Sequence, residues 1–380
     1  MNKSIIIAAG GTAGHVYPAI AIIEHILNEY PDTEVTFIGT RKGMEKKLLA
    51  DLNVRFEAVR ASGFSVSANF FKKIFVYLTF IYNFISGFFT SLNIIKSTKA
   101  GFVLGMGGYV CAPVFMAAVV SGKKIAIHEQ NFIPGRLNKY FSRFAKYIFI
   151  SFKDSEEFFK KLKPKKNTVI IHTGNPLRAS VRNYYKLKPD YKNWNCVQGR
   201  KTIVAFGGSL GAQKINNSIS GLYERLRDNK EMQIILISGS RFYNSLSAKI
   251  NEIKKEGDSL ILNIYPYIPE IDRLYRIADI IISRAGATTV AELDYTMIYS
   301  ILIPYPHAID NHQYYNAGFL VKNNRAVLIN DDQLNEERLE YELKNLLKKQ
   351  KAGINAASIN MQHETSIKNL KTIIEKILEI

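Results

Sequence analysis

Two segments far apart in this chain carry the same signature. Ile7-Ala8-Ala9-Gly10-Gly11-Thr12 and Val204-Ala205-Phe206-Gly207-Gly208-Ser209 each run from an apolar strand through two glycines to a hydroxyl residue, and a helical pattern follows. Glycine frees the backbone to turn sharply from strand into helix, so this order of residues opens a parallel α/β unit. Meeting the opening twice constrains the chain to two similar doubly wound units in tandem.

The remaining pattern agrees. Apolar runs read as strands lie at 4–9, 34–38, 101–105, 124–128, 147–150 and 168–171, with amphipathic stretches such as 18–29 between them. A second series lies at 202–206, 233–237, 263–265, 280–283, 301–303 and 326–329. Strand and helix in alternation predict the α/β class, as two Rossmann-like doubly wound parallel-sheet domains. Gly and Pro break the pattern at His172-Thr173-Gly174-Asn175-Pro176, which sets domains at 1–174 and 175–361. An amphipathic helix at about 362–380 is able to stay with the second domain or to pack back on the first. Two such domains face to face form a cleft at the carboxyl ends of both sheets, the place where open α/β sheets bind ligands.

With 380 residues, 47% of them hydrophobic, the chain is large enough for two cores. Its two cysteines, Cys111 and Cys196, belong to no CxxC or Cys/His cluster, which argues against a disulfide framework or zinc site and fits a reducing compartment. The apolar run at the N-terminus stops at Gly10-Gly11 and reads as a buried strand rather than a signal peptide. A net charge of +18 suggests a polyanionic partner, although a chain this rich in Lys, Asn and Ile carries such a surplus without any function. No basic helix repeat, zinc finger or RNP motif points to nucleic acid.

Residues 74–95 contain no charge, and Lys72, Lys73 and Lys96 flank them. That length can cross a bilayer, which needs about 20 apolar residues. However, Thr79, Asn83, Ser86, Thr90 and Asn93 recur at helical steps on one stripe, which a lipid-surrounded helix does not need. A span here would also split the first sheet. The reading is a helix docked on the first domain with an apolar outer surface, for which Phe75, Leu78, Tyr82, Ile85, Phe88 and Phe89 are candidates. Lys72, Lys73, Arg136, Lys139, Arg143 and Lys146 would ring this patch toward an anionic membrane surface. An ordinary core helix is the competing reading.

Five segments carry candidate chemistry. Gly10-Gly11-Thr12-Ala13-Gly14-His15 offers close backbone approach and helix N–H groups. His15, at its exit, has an imidazole suited to taking a proton near neutrality. The loop is not GxGxxG, and no acid ends the second strand, so a dinucleotide is poorly supported. Gly207-Gly208-Ser209-Leu210-Gly211-Ala212 suits a diphosphate but lacks the Gly-Lys-Ser/Thr of a phosphoryl-transfer ATPase. Ser283-Arg284-Ala285-Gly286-Ala287-Thr288-Thr289-Val290-Ala291-Glu292 again leads from a strand into a helix, with Glu292 expected on about its first turn, either to support the helix dipole or to bind ribose hydroxyls. Pro304 to Gln313 is dense in polar groups fit for sugar hydroxyls, and His128-Glu129-Gln130-Asn131 ends a strand with four polar residues. No Asp-x-Asp sits at a strand end to hold a metal on a diphosphate, so the leaving phosphate must rely on N–H groups and helix dipoles, without a cofactor.

Taken together, these segments resemble the MurG family of N-acetylglucosaminyltransferases. Gly105-Met106-Gly107-Gly108-Tyr109-Val110, Gly174-Asn175-Pro176-Leu177-Arg178 and Asp310 to Ala317 add to the likeness, and all lie in family order over nearly the whole chain. The resemblance implies a GT-B fold, with an N-terminal acceptor- and membrane-binding domain and a C-terminal UDP-sugar-binding domain. It implies inverting, metal-independent transfer of N-acetylglucosamine from UDP-N-acetylglucosamine to the 4-hydroxyl of lipid I (undecaprenyl-pyrophosphoryl-muramoyl-pentapeptide), giving lipid II at the cytoplasmic face of the bacterial plasma membrane. Carried over by motif, Ile268 should contact uracil, Glu292 the ribose, and Gln313 the donor sugar. Ala287, Thr288, Thr289, Val290 and Ala291 should frame the phosphates, with Ser209 assisting departure of UDP. Thr12, Ala13, Gly14, Asn131 and Arg178 should complete the substrate site, with His15 ranked above Glu129 as general base. Two departures stand out: Ala13 replaces a glycine usual in the family, and the helix near 77–91 is less charged than the family leads one to expect. Other readings are a UDP-sugar:diacylglycerol glycosyltransferase, a UDP-N-acetylglucosamine 2-epimerase, or a non-catalytic UDP-sugar-binding membrane scaffold.

Overall fold

The computed structural model describes residues 4–41, 43–63, 70–208, 211–349 and 356–380, with backbone alone for 70–73 and 356–359. The chain divides into two compact units. One takes the chain up to Ala179 and receives it again from Thr365 to Ile380, and the other is Ser180–Glu364.

The first unit is built on β1 (Ser4–Ala8), β2 (Glu34–Thr40), β3 (Arg55–Val59), β4 (Phe102–Gly105), β5 (Lys124–Glu129), β6 (Ala145–Ile150) and β7 (Val169–His172). All pair in parallel, in the order β3-β2-β1-β4-β5-β6-β7. The helices are α1 (Ala13–Glu29), α2 (Glu45–Leu48), α3 (Phe70–Ser97), α4 (Cys111–Val120), α5 (Arg136–Phe141) and α6 (Ser155–Lys161), followed by α7 (Ala179–Arg182) where the chain leaves the unit. Ile5 and Ile7 enter the core on one face of the sheet, and Ile6 and Ala8 enter the core on the other. That is why β1 reads as an unbroken apolar run: a parallel sheet covered on both faces has no polar side.

The second unit carries β8 (Lys201–Phe206), β9 (Met232–Ile237), β10 (Ile261–Tyr265), β11 (Ile280–Ser283), β12 (Tyr299–Leu302) and β13 (Ala326–Leu328). They are again all parallel, in the order β10-β9-β8-β11-β12-β13. Around them lie α8 (Gln213–Arg225), α9 (Tyr243–Ile253), α10 (Ile271–Tyr275), α11 (Ala287–Thr296), α12 (His312–Lys322) and α13 (Glu336–Lys349). The last helix, α14 (Ala356–Leu378), places Leu370, Ile373, Ile374 and Ile377 in the first unit's core beside α1.

Two elements differ from the expectation. β3 is not among the predicted strands, because Arg55 and Glu57 interrupt its apolar character; it is the edge of the sheet, where one side stays wet. α1 begins at Ala13 and not near Pro18, so His15 stands on the first turn of the helix. Both sheets reverse their winding once, at β1/β4 and at β8/β11. Loops leaving the strands there diverge and open a crevice at the carboxyl edge.

Candidate functional site

In the first unit, the crevice at β1/β4 is walled by two glycine loops. Gly11, Gly107 and Gly108 all have positive φ (93°, 103° and 83°). A Cβ on Gly108 would lie 2.0 Å from the Gly10 carbonyl oxygen, so the two loops touch backbone to backbone. A Cβ on Gly107 would lie 2.8 Å from the His15 ring; the missing side chain is the space the imidazole occupies. Beneath the first loop, the fully buried Glu45 accepts hydrogen bonds from Gly11 N (3.3 Å) and Thr40 Oγ1 (3.2 Å). Thr12 precedes α1 in an extended conformation and makes no side-chain cap bond. Ala13 is the first helical residue and is absent from the positive-φ positions, so its methyl brings no backbone strain where the family has glycine.

His15 is tied to the end of β5. Its Nδ1 lies 2.9 Å from Gln130 Oε1, and Gln130 Nε2 lies 3.1 Å from His128 Nδ1. His128 Nε2 in turn meets the Gly174 carbonyl at 3.1 Å. Burial lowers the His128 pKa to about 4, against the pull of the Gly174 carbonyl, which favours the cation. Glu129 is otherwise engaged. Its carboxylate accepts from Asn131 N (2.9 Å), Asn131 Nδ2 (3.3 Å), Gly135 N (2.9 Å) and Asn138 Nδ2 (2.8 Å). A carboxylate has about four acceptor sites, and here all serve to hold the loop after β5, Asn131 included. The Arg178 guanidinium carbon lies over the Tyr17 ring of α1, 3.9 Å from its centre, while Ala179 N donates to Glu24 of the same helix (2.7 Å). Thr12, Ala13, Gly14, His15, Asn131 and Arg178 thus all belong to the first unit, and the segments carrying them are tied to α1 and the end of β5.

In the second unit, the crevice at β8/β11 has the same construction. A Cβ on Gly207 would meet Ala212 N at 2.2 Å, and one on Gly211, whose φ is 76°, would meet the Ser238 carbonyl at 2.1 Å. Ser209 and Leu210 lie outside the described residues, so the expectation for Ser209 has no structural counterpart here. Across the crevice, α11 starts at Ala287 and its first internal bond runs from Val290 N to Gly286 O. The positive end of its dipole and the residues Thr288 and Thr289 stand at this start, an arrangement suited to phosphate.

Glu292 lies beyond the first turn of α11 and not on it, which corrects the expectation. It is buried, and the Tyr275 hydroxyl donates to its Oε2 at 2.7 Å. Ile268, also buried, lies between β10 and α10. Arg284 pairs with Asp331 at 2.6 Å and donates to the carbonyls of Ile303 and Pro304. Asn316 Nδ2 donates to the Ala285 carbonyl (3.2 Å), and Gln313 Oε1 accepts from Tyr305 N (2.9 Å). The loops after β11 and β12 and the start of α12 are thereby knit together, and the Gln313 amide is oriented with its carbonyl engaged. The sequence singled out His128 and Gln130 only as members of a polar run, without separate roles, and passed over Glu45 and Tyr275. The last two pack onto site residues that lie distant in sequence.

Helix α3 divides into two faces. Ser91, Ile94 and Ile95 are buried, and Gly87 approaches Arg60 so closely that a Cβ would lie 2.2 Å from its carbonyl oxygen. Asn83 Nδ2 donates to Ser62 Oγ (3.3 Å), so part of the polar stripe faces the unit. Phe75, Leu78, Tyr82, Ile85 and Phe89 stay exposed, Phe75 by 72%. Phe88, a sixth candidate for that surface, instead packs against the core. Among the described residues Ile74–Ser97 is long and apolar enough to cross a membrane by length and composition, but its last turns are part of a protein core. Lys72 and Lys73 have no described side chains, and Lys146 is engaged with Glu379 at 2.9 Å on α14's end of the unit.

Comparison with known proteins covers both units of the chain. Residues 5–150 match the glycosyltransferase family 28 N-terminal domain, and residues 202–377 match the C-terminal domain of that family. A UDP-N-acetylglucosamine–N-acetylmuramyl-(pentapeptide) pyrophosphoryl-undecaprenol N-acetylglucosamine transferase of Natranaerobius thermophilus is 33% identical over 376 residues, covering 98% of this chain and 100% of that one. The transferase of the same name from Thermoanaerobacter sp. is 36% identical over 340 residues, 90% of each chain. Among solved structures, Acinetobacter baumannii MurG is similar over 100% of both chains, with 25% identity and a TM-score of 0.68. A UDP-N-acetylglucosamine 2-epimerase from Listeria monocytogenes has the same TM-score, 0.68, at 14% identity over 100% of this chain and 98% of that one, a likeness of fold alone.

Proposed function

The chain belongs to glycosyltransferase family 28, and on that premise we propose that it transfers N-acetylglucosamine from UDP-N-acetylglucosamine to the 4-hydroxyl of the muramoyl sugar of lipid I, giving lipid II for peptidoglycan synthesis. The observation that carries this reading is the full-length match to transferases of that name, at 33–36% identity. The epimerase likeness reaches only the fold.

In the proposed reaction the acceptor oxygen attacks the anomeric carbon in line. The new glycosidic bond forms as the bond to the UDP phosphate breaks, which inverts the configuration. His15 takes the hydroxyl proton, and UDP departs with the electron pair. The charge on the diphosphate is met by the glycine loop at Ser209 and the start of α11 with Ala287, Thr288 and Thr289, so no metal or other cofactor is required. Val290 and Ala291 continue that turn. Ile268 packs on uracil, Glu292 takes the ribose hydroxyls, and Gln313 turns its amide N–H groups to the donor sugar. Thr12, Ala13, Gly14, Asn131 and Arg178 complete the substrate site from the first unit.

Association with a membrane accompanies a polyprenyl substrate. The exposed face of α3 supports a peripheral contact with the anionic cytoplasmic face of the bacterial plasma membrane, with Arg136, Lys139 and Arg143 each adding roughly 1 kcal/mol. Nucleic acid has no place in this reading.

The test is UDP release from UDP-N-acetylglucosamine with a lipid I analogue and excess EDTA. Acceptor-dependent release should survive EDTA and fall at least ~100-fold in His15→Ala, since general-base catalysis contributes typically that much or more. A folded, UDP-binding protein without acceptor-dependent release would end the lipid II reading.

A further inference from the structure

The hydrogen bonds that reach His15 have only one consistent assignment of protons. The Gly174 carbonyl can only accept, so His128 Nε2, 3.1 Å away, carries a hydrogen. A neutral imidazole protonated on Nε2 has a lone pair on Nδ1, which therefore accepts from Gln130 Nε2 at 3.1 Å. The orientation of the Gln130 amide is fixed a second time, because the same Nε2 also reaches the His128 carbonyl at 3.1 Å, another obligate acceptor. Gln130 Oε1 must then point the other way, and it lies 2.9 Å from His15 Nδ1. The ring nitrogen facing it has to donate.

We propose that Gln130 and His128 are positioning residues that set the tautomer of His15: the Gly174 carbonyl is read through His128 and Gln130, so that His15 carries its proton on Nδ1 and presents a bare Nε2. The inference rests on the reading of His15 as general base and adds how that base is prepared. The relay is buried, with His128 at 0% and Gln130 at 1% exposure, so water does not compete for its bonds. It is also held in shape from outside. Gly107 carries no side chain where the His15 ring lies, and Gly174, at φ 65°, turns its carbonyl toward His128 in a conformation that favours glycine. His15 stands at the start of a helix, so without Gln130 nothing in the relay would choose between its two nitrogens.

The experiment is 15N NMR of the full-length protein carrying histidine labelled in the imidazole ring. The His15 signals are assigned by their loss in His15→Gln. Wild type should show a protonated, pyrrole-type Nδ1 and an unprotonated, pyridine-type Nε2 at neutral pH. Gln130→Met, similar in volume but without an acceptor, should lose that preference. It should also lower kcat at least ~10-fold with UDP affinity unchanged, since a wrongly set histidine tautomer costs up to about 10⁴ in rate. A wild-type His15 protonated on Nε2 overturns the proposal without recourse to any variant, as does a Gln130→Met protein that keeps both the Nδ1 proton and full kcat. Failure of the underlying reading looks different: His15→Gln would retain transfer, whatever the tautomer.

Discussion

Two acids and bases near the end of β5 are separated by what their lone pairs already do. Glu129 spends its carboxylate on four donors of its own loop, whereas His15 has one nitrogen engaged through Gln130. Glu129→Gln is therefore expected to act on stability. It should cost about 1–3 kcal/mol in urea unfolding of the first unit, because an amide NH₂ would face donors, while the acid limb of the kcat–pH profile stays in place. Loss of that limb with stability intact would instead make Glu129 the base. His128 makes a pH-dependent prediction. Its ordinary pKa of 6.5 is lowered to about 4 by burial, so the unfolded chain binds a proton through a window in which the native protein refuses it. Stability due to this group is complete above about 6.5 and is lost as pH falls toward 4, by about 3 kcal/mol in all. His128→Gln should remove that dependence, read as a flatter unfolding free energy between pH 7 and pH 4.

At the scale of elements, α3 shows how one helix serves two surroundings. Its Gly87-to-Ile95 side is seated against Arg60, α4 and the core, and its Phe75-to-Phe89 side is left apolar toward solvent. An exposed apolar stripe of this kind marks an interaction surface. Phe75→Ser/Leu78→Ser/Phe89→Ser should preserve the fold, since these side chains contribute little to the core. Co-sedimentation with anionic phospholipid vesicles should drop at least ~10-fold, each lost side chain forfeiting of the order of 1 kcal/mol or more. Unchanged sedimentation of the triple variant would exclude α3 as the membrane contact.

The whole molecule is two doubly wound units whose chain crosses between them twice, at Ala179/Ser180 and at Glu364/Thr365. The second crossing falls within α14, whose last turns complete the first unit's core. Each of Leu370, Ile373, Ile374 and Ile377 contributes roughly 1.5–3 kcal/mol by burial. A chain ending at Glu364 should thus lose the cooperative unfolding transition of the first unit while residues 180–364 still unfold cooperatively and bind UDP. Retention of both transitions would show that the C-terminal helix is dispensable.

The sequence by itself determined the class and number of units, because a buried parallel strand must be apolar along its length and a strand-to-helix turn this tight needs glycine. It also placed His15 at the exit of the first strand-to-helix loop and the polar run His128 to Asn131 at a strand end, where parallel sheets gather ligands. Only the tertiary structure decided which lone pairs remained for chemistry. Gln130 and His15 are distant in sequence, and their bond exists because β1 and β5 lie on either side of β4 in one sheet. Tyr275 on Glu292, Arg284 across two loops and the edge strand β3 were likewise hidden. Each depends on a neighbour brought near by folding, and periodicity along a chain records which face a residue takes, not whom it meets there.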